Sequence, residues 1–486
     1  MFCYRLGLVN ARTIGKYFLI IISTFIIFTV LSLNPFIFCQ TNNDRLSLST
    51  PIQLSSDTIP LISAHVVASG DTIHAIWFGI DIYQTTSSDG IQYCHSFDGG
   101  KSFSLKTTIV SADTAFGPGL IASSNQFVYI AYSGFINEQF GTVLLRSHDA
   151  GMTWENSILI LPNTLPLLVC ANGSTVFIHY QNQRGGKCGL MRSDDYGETW
   201  NNVSTNMFLL NDLKISNDIL YAVGSLTISR AEVGLYYSYD LGSRWIGPEI
   251  ISREDRTPSV NPKLTLSSTG NIFVVWNDTG NVILRRTDGY DQNENLIWLP
   301  QTIISSDQHA VFIDISVMEK FVIIVWDNQS NISKVIQRSY SIDEGKAFGP
   351  IDTLTGNNNA GEPVMTISNK KIHFVWSEEF NATNNIIYRR GYMKEPVRPT
   401  VFVLRQNYPN PVNGVCHIEY DLTASEHVKL ILYNLLGQKV ATFLDEYQEQ
   451  NFYKISIDAN SYPSGVYFYR LITGCYSQTK KMVILK

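Results

Sequence analysis

The chain has 486 residues, of which 44% are apolar, 16% charged and 12% aromatic. That mixture excludes a disordered chain, which combines low hydrophobicity with high charge, and it is rich in the Tyr, Phe, Trp, Val and Ile that suit a pleated, half-buried surface. The formal net charge of −6 gives no sign of nucleic acid or an anionic membrane as a partner.

The first elements in chain order are those of a leader. Arg5, Arg12 and Lys16 precede an apolar run over residues 18–33, which Asn34-Pro35 ends. Length, flanks and position predict a signal peptide over residues 1–39, cleaved near Cys39–Gln40, ahead of a lipoprotein signal ending at Cys39 or a retained anchor. Its loss removes three positive charges and takes the net charge from −6 to −9. No membrane span is expected in the mature chain. Five cysteines remain, at 94, 170, 188, 416 and 475, with no metal spacing, and Cys416 with Cys475 is the one pair worth testing for a disulfide.

Next comes a repeat. It reads Ser96-Phe-Asp98-Gly-Gly100-Lys-Ser-Phe103, Ser147-His-Asp149-Ala-Gly151-Met-Thr-Trp154, Ser193-Asp-Asp195-Tyr-Gly197-Glu-Thr-Trp200, Ser238-Tyr-Asp240-Leu-Gly242-Ser-Arg-Trp245 and Ser341-Ile-Asp343-Glu-Gly345-Lys-Ala-Phe348. Successive serines lie 51, 46, 45 and 103 residues apart. The long step holds one degenerate copy, Thr287 to Trp298, spoiled by an insertion. Ser and Asp side chains bond nearby amides, Gly takes the positive φ of a tight turn, and the aromatic plugs the gap beside it. These carboxylates are structural rather than catalytic.

Upstream of each hairpin lies an apolar run, as in Ile73-His-Ala-Ile-Trp77, Val128-Tyr-Ile-Ala-Tyr132, Val176-Phe-Ile-His-Tyr180, Ile272-Phe-Val-Val-Trp276, Val322-Ile-Ile-Val-Trp326 and Ile372-His-Phe-Val-Trp376, with Leu220-Tyr-Ala-Val-Gly224 a poorer copy. Runs apolar on both faces are strands sandwiched between sheets. A period of 40–50 residues with about four strands per unit predicts propeller blades. Seven units are counted over residues 48–392. The seventh lacks an outer strand, which residues 49–54 (Ser-Thr-Pro-Ile-Gln-Leu) are expected to supply.

Residues 393–399 form a linker, and the texture then changes. Residues 400–486 read as short strands separated by turns, a small antiparallel β-sandwich. The expected fold is therefore all-β, a propeller followed by a sandwich.

The Ser/Asp/Gly/aromatic repeats resemble the Asp-box (BNR) repeats of sialidase-like β-propellers. Sialidases have six blades, so six remains the alternative to seven. The segment containing Asn407-Tyr-Pro-Asn-Pro411, Leu432-Tyr-Asn434 with Gly437, Ser464-Gly-Val-Tyr-Phe-Tyr469 and Lys480-Lys-Met482 resembles the type A C-terminal sorting domain of type IX secretion. That resemblance implies a Bacteroidota-like source, the type IX machinery as a partner, and a secreted or cell-surface destination.

Function is expected on the face opposite the hairpins, where loops cluster. A sialidase-like exo-glycosidase would need cations to hold a substrate carboxylate, with an acid nearby. Arg184, Arg230, Arg253 and Arg256 are the candidate cations, and Asp81, Glu254 and Glu362 the candidate acids. Where the family's Arg-Ile-Pro signature should stand, however, this chain has Pro60-Leu-Ile-Ser-Ala-His65. The preferred reading is a non-catalytic module that binds glycan or protein, with Tyr83, Phe135, Phe140 and Phe380 as candidate stacking residues. No cofactor or metal is expected.

Overall fold

The computed structural model describes residues 46–57, 61–79, 90–183, 186–227, 231–252, 257–292, 295–330, 334–356, 359–380, 383–394 and 401–486. Leu46–Met393 form one compact unit, and Lys394–Lys486 belong to another.

The described residues of the first unit build seven antiparallel sheets in chain order. Sheet 1 consists of Leu61–Ser69, Thr72–Gly79, Gly90–Ser96 and Thr107–Ser111, and sheet 2 of Leu120–Ser124, Phe127–Ile136, Gln139–Ser147 and Ile158–Pro162. Sheet 3 contains Thr164–Asn172, Thr175–Asn182, Cys188–Ser193 and Asn201–Met207. Sheet 4 contains Asp212–Ser216, Ile219–Thr227, Ala231–Ser238 and Ile246–Ile250. Sheet 5 contains Ser259–Leu266, Ile272–Asp278 and Asn281–Tyr290, the last pairing with both Leu296–Trp298 and Thr302–Ser305. Sheet 6 contains Ala310–Met318, Phe321–Gln329, Lys334–Ser341 and Asp352–Thr353. Sheet 7 contains Asn359–Ser368, Lys371–Phe380 and Thr383–Met393.

The first strand of each sheet lies beside the first strand of the next, and that of sheet 7 lies beside that of sheet 1. The order is cyclic, as a β-propeller requires. Its core is correspondingly divided. Separate apolar clusters fill the interfaces between sheets 1 and 2, 2 and 3, 3 and 4, and 4 and 5. Others fill those between 5 and 6, 6 and 7, and 7 and 1. The second strands are therefore apolar on both sides, and Trp77, Trp276, Trp326 and Trp376 are all buried.

Sheet 7 is completed from the other end of the unit. Leu46–Leu48 and Ile52–Asp57 both pair with Thr383–Met393, and Leu46 is buried in the cluster between sheets 6 and 7. An edge that would otherwise stay open is thereby covered.

The second unit holds a three-stranded sheet (Val403–Leu404, Val415–Asp421, Phe452–Asp458) and a four-stranded one (Lys439–Gln448, Glu426–Asn434, Gly465–Ile472, Ser477–Ile484). Phe402, Ile418, Tyr420, Leu430, Leu432, Tyr469 and Met482 belong to one apolar cluster of this unit. The disulfide considered from sequence is not formed. Cys416 is a free thiol buried in this core, whereas Cys475 is free and exposed. No described helix is long and apolar enough to cross a membrane.

Candidate functional site

The repeated hairpins have one geometry. In the first, the Ser96 hydroxyl donates to Asp98 Oδ1 at 2.8 Å and accepts the Gly100 N–H at 3.0 Å. Asp98 Oδ1 also accepts the Lys101 and Ser102 amides, and Oδ2 accepts the Ser102 hydroxyl. The Ser–Asp and Ser–Gly bonds recur at Ser147/Asp149/Gly151, Ser193/Asp195/Gly197, Ser238/Asp240/Gly242 and Ser341/Asp343/Gly345, and Asp149 and Asp195 also accept the amide and hydroxyl of Thr153 and Thr199. Hydrogen bonds from Thr153 and Thr199 hold the Asp149 and Asp195 carboxyls down to about 2. A carboxylate so fully engaged is a turn-building group. The aromatic residues pack onto the preceding sheet: Trp154 meets Tyr93 edge-on at 5.1 Å, and Phe103 meets Tyr388 at 4.6 Å.

The opposite face carries the loops that lead into the first strands and the turns between second and third strands. There the structure brings Phe135 and Phe140 together and adds Phe116, from the loop entering sheet 2. The three rings are mutually edge-on, with centroids 5.4 Å apart for Phe116–Phe135, 5.3 Å for Phe135–Phe140 and 6.0 Å for Phe116–Phe140. Phe116 is 62% exposed and Phe135 38%. Two backbone bonds lock the cluster, Phe116 N–H to Ser133 O at 2.7 Å and Phe135 N–H to Thr114 O at 3.1 Å. Three phenylalanines held partly in solvent, rather than folded under, form a ready contact surface.

Other candidates are separated from this cluster. Glu362, on the first strand of sheet 7, accepts the Ser63 N–H of sheet 1 at 3.2 Å, and so ties two strands together. Asp327, fully buried, accepts the Val311 and Phe312 amides, and Glu232 accepts the Ser252 hydroxyl. Arg184, Arg230, Arg253, Arg256, Asp81, Glu254 and Tyr83 lie outside the described residues, as does the side chain of Phe380. Among the described residues no three His, Cys, Asp or Glu side chains converge as a metal site.

A second polar constellation lines the axis. In each sheet, one first-strand residue pairs with the position just before the buried aromatic (or, in sheet 4, Gly224) of the second strand. These are His65, Leu120, Leu168, Asp212, Lys263, Asp314 and Val364. Lys214 lies two residues beyond Asp212, with its ammonium 3.3 Å from the Asp212 carboxylate. Its side chain is 48% exposed although the strands surround it, as befits a group projecting into an axial channel. Asp212 chiefly raises its pKa, and Asp314, across the ring, adds to the effect. Burial raises the Asp314 pKa against the pull of Lys263. Burial, with Lys263 nearby, lowers His65 to about 4.

The two axial carboxylates also bridge sheets. Asp212 Oδ2 accepts the Leu264 N–H of sheet 5 at 3.0 Å, and Asp314 Oδ2 accepts the Met365 N–H of sheet 7 at 2.8 Å. Their Oδ1 atoms accept the next amide of their own strand. Sequence reasoning passed over these residues; Asp212, Lys263 and Asp314 lie eight or nine residues ahead of their sheets' apolar runs, but the same position is apolar in sheets 2, 3 and 7.

In the second unit, the segment from Asn407 to Pro411 is laced to the rest of the fold. Asn407 N–H donates to the Tyr469 hydroxyl at 2.7 Å, which in turn donates to Arg405 O at 2.8 Å. Asn410 Oδ1 accepts the Val483 N–H at 2.8 Å, and Asn410 Nδ2 donates to Lys481 O at 3.1 Å.

No curated protein matches the chain. Similar solved structures include an ulvan lyase of polysaccharide lyase family PL25, at 10% identity and TM-score 0.50, covering 70% of this chain and 95% of that one. A protein of unknown function from Dyadobacter fermentans matches at 10% identity and TM-score 0.45, covering 72% and 100%. Trypanosoma rangeli sialidase, in complex with 2,3-difluorosialic acid, matches at 10% identity and TM-score 0.42, covering 90% and 88%. Such identities speak to fold alone, and fold does not assign chemistry. Residues 406–485 match the family described as secretion system C-terminal sorting domain. That match marks the chain for export by type IX secretion, to the cell surface or into the medium.

Proposed function

We propose that the exported propeller is a non-catalytic module that binds glycan or protein through its loop face. The observation that carries the reading is the exposed cluster of Phe116, Phe135 and Phe140. Edge-on rings fixed by backbone hydrogen bonds present apolar area that costs little entropy to immobilise when a partner covers it. The carboxylates described near that face support the same reading, because Glu362, Asp327 and Glu232 are each spent on accepting structural hydrogen bonds.

The test uses the mature full-length chain. A glycan array and a pull-down from outer-surface proteins supply the partner, and Phe116→Ala and Phe135→Ala supply the control. Each truncation of a hot-spot aromatic should weaken binding about tenfold or more. The same preparation is offered a fluorogenic sialoside, which it should leave intact; turnover would replace this reading with a glycosidase.

A further inference from the structure

At five junctions of the propeller an intact hairpin closes the space against the preceding sheet. A Cβ built on Gly100 would meet Tyr388, one on Gly151 Tyr93, one on Gly197 Tyr129, one on Gly242 Leu190, and one on Gly345 Phe273 and Arg286. The junction between sheets 4 and 5 differs. There the hairpin is degenerate: Thr287 takes the serine's place and donates no bond to an aspartate, while accepting the Ile272 N–H at 2.8 Å. The chain then runs on through an insertion to Leu296–Trp298. A shallow cleft remains, about 220 Å³ counted out to its open mouth, lined by Tyr221, Tyr237, Tyr239, Tyr290 and Leu296.

Its lining is distinctive. Tyr221 is buried at 6% exposure and forms the floor, whereas Tyr239 and Tyr290 are 61% and 48% exposed and form the walls. Tyr237 and Tyr239 are edge-on, with centroids 5.6 Å apart. Burial raises the Tyr221 phenol pKa, and Tyr290 beside it adds to the rise. Among the described residues no charged side chain lines it. Of the ionic groups nearby, Glu249 acts on Tyr237 and helps raise its pKa, Arg285 lies over the Trp298 ring at 5.4 Å and donates to Leu299 O and Ile251 O, and Asp291 accepts the Asn295 N–H of its own loop.

We propose that this tyrosine-lined cleft between sheets 4 and 5 binds a neutral saccharide, one sugar ring at a time. Four phenols offer ring faces for the C–H faces of a pyranose and hydroxyls that both donate and accept for its OH groups. An uncharged lining gives a sialic or uronic acid no partner for its carboxylate, so discrimination favours neutral sugars. The enclosed space between the rings is only about 10 Å³, so a sugar ring lies across the exposed faces of Tyr239 and Tyr290 rather than sinking between them. The proposal does not rest on the loop-face reading, since the cleft lies on the hairpin side.

The experiment titrates the mature full-length protein with cellohexaose, xylohexaose, laminarihexaose and mannohexaose, and with 3′-sialyllactose and an oligogalacturonate as charged controls, by calorimetry. At least one neutral oligosaccharide should bind, and neither acidic one should bind as well. Tyr239→Ala should weaken that binding about tenfold or more, Tyr239→Phe should keep most of it, and Phe116→Ala on the other face should leave it unchanged. Tyr239 is at a hairpin tip, so its variants should keep the wild-type melting temperature. Failure of every neutral sugar to bind, preference for the acidic ones, or binding indifferent to Tyr239→Ala overturns the proposal. Loss through Phe116→Ala alone would instead place the sugar on the loop face.

Discussion

The Tyr388 hydroxyl sits where a side chain on Gly100 would have to be: a Cβ built on that glycine would fall 1.7 Å from the oxygen. Gly100 belongs to the hairpin of sheet 1 and Tyr388 to the third strand of sheet 7, so this contact lies on the seam of the ring. His373 Nδ1 holds the same hydroxyl at 2.7 Å. The arrangement recurs one junction on, with Gly151, Tyr93 and His74 at 2.8 Å.

Gly100→Ala should therefore be costly twice over. The residue has φ +76°, a left-handed conformation that a Cβ disfavours by about 1 kcal/mol, and the clash with Tyr388 adds to it. A loss of roughly 2–4 kcal/mol, in the range of overpacked sites, should appear in chemical denaturation. Gly100→Ala combined with Tyr388→Phe, which removes the hydroxyl nearest the new methyl while keeping the buried ring, should recover part of it. A single variant as stable as the parent would mean that the seam is not packed as described.

Acid should unfold the propeller in stages. Burial lowers the pKa of His74 to about 3 and those of His179 and His373 to about 4, against 6.5 in the unfolded chain. Between pH 6.5 and 4 the unfolded chain thus holds protons that the folded one refuses, so stability is full above pH 6.5 and falls as the pH drops. Each histidine contributes up to about 3 kcal/mol over that window. Below it, Asp149 and Asp195 extend the loss from their ordinary 3.8 toward 2. His373→Gln should flatten the first stage in denaturation curves taken at pH 7, 5.5 and 4; an unchanged slope would contradict the assignment.

Removing residues 46–57 strips sheet 7 of both outer segments and takes Leu46 from the cluster it shares with Phe374 and Ile387. One buried leucine alone is worth about 2–5 kcal/mol when truncated. The melting temperature of the deletion variant should drop by about ten degrees or more. Equal melting curves would show that the ring does not need its first strands.

Residues 398–486 fused to a periplasmic reporter should carry it out of a host that has type IX secretion. Tyr469→Phe removes the hydroxyl that accepts from Asn407 and donates to Arg405, leaving a buried amide unsatisfied at a cost of about 1–3 kcal/mol. Export of the Tyr469→Phe fusion should fall at elevated temperature. A reporter that stays periplasmic with the unaltered domain would contradict the export assignment.

What could be read from the sequence was whatever recurs or keeps a period. Serine, aspartate, glycine and an aromatic at fixed spacing gave the hairpins, because each atom in that turn depends on a neighbour within a few residues. Second strands were legible because burial on both faces leaves an unbroken apolar run. The axial strands were not, since Asp212, Lys263 and Asp314 share a register position that is apolar in sheets 2, 3 and 7. Phe135 and Phe140 were visible as a loop pair, but Phe116 reaches them only through the pairing of its loop with Ser133. The tyrosine cleft was hidden in what read as a spoiled repeat, because its members come from positions 221, 237, 239 and 290.

Ile52–Asp57 find their partner only in Thr383–Met393. A ribosome, or a pore that passes the polypeptide amino end first, delivers these two segments more than three hundred residues apart. The earliest part of the propeller to emerge must therefore wait, unpaired, for nearly the last. Contacts so distant along the chain form slowly, and any polypeptide cut short before residue 383 keeps a frayed rim. Completion of the wheel thus reports that the whole body has arrived.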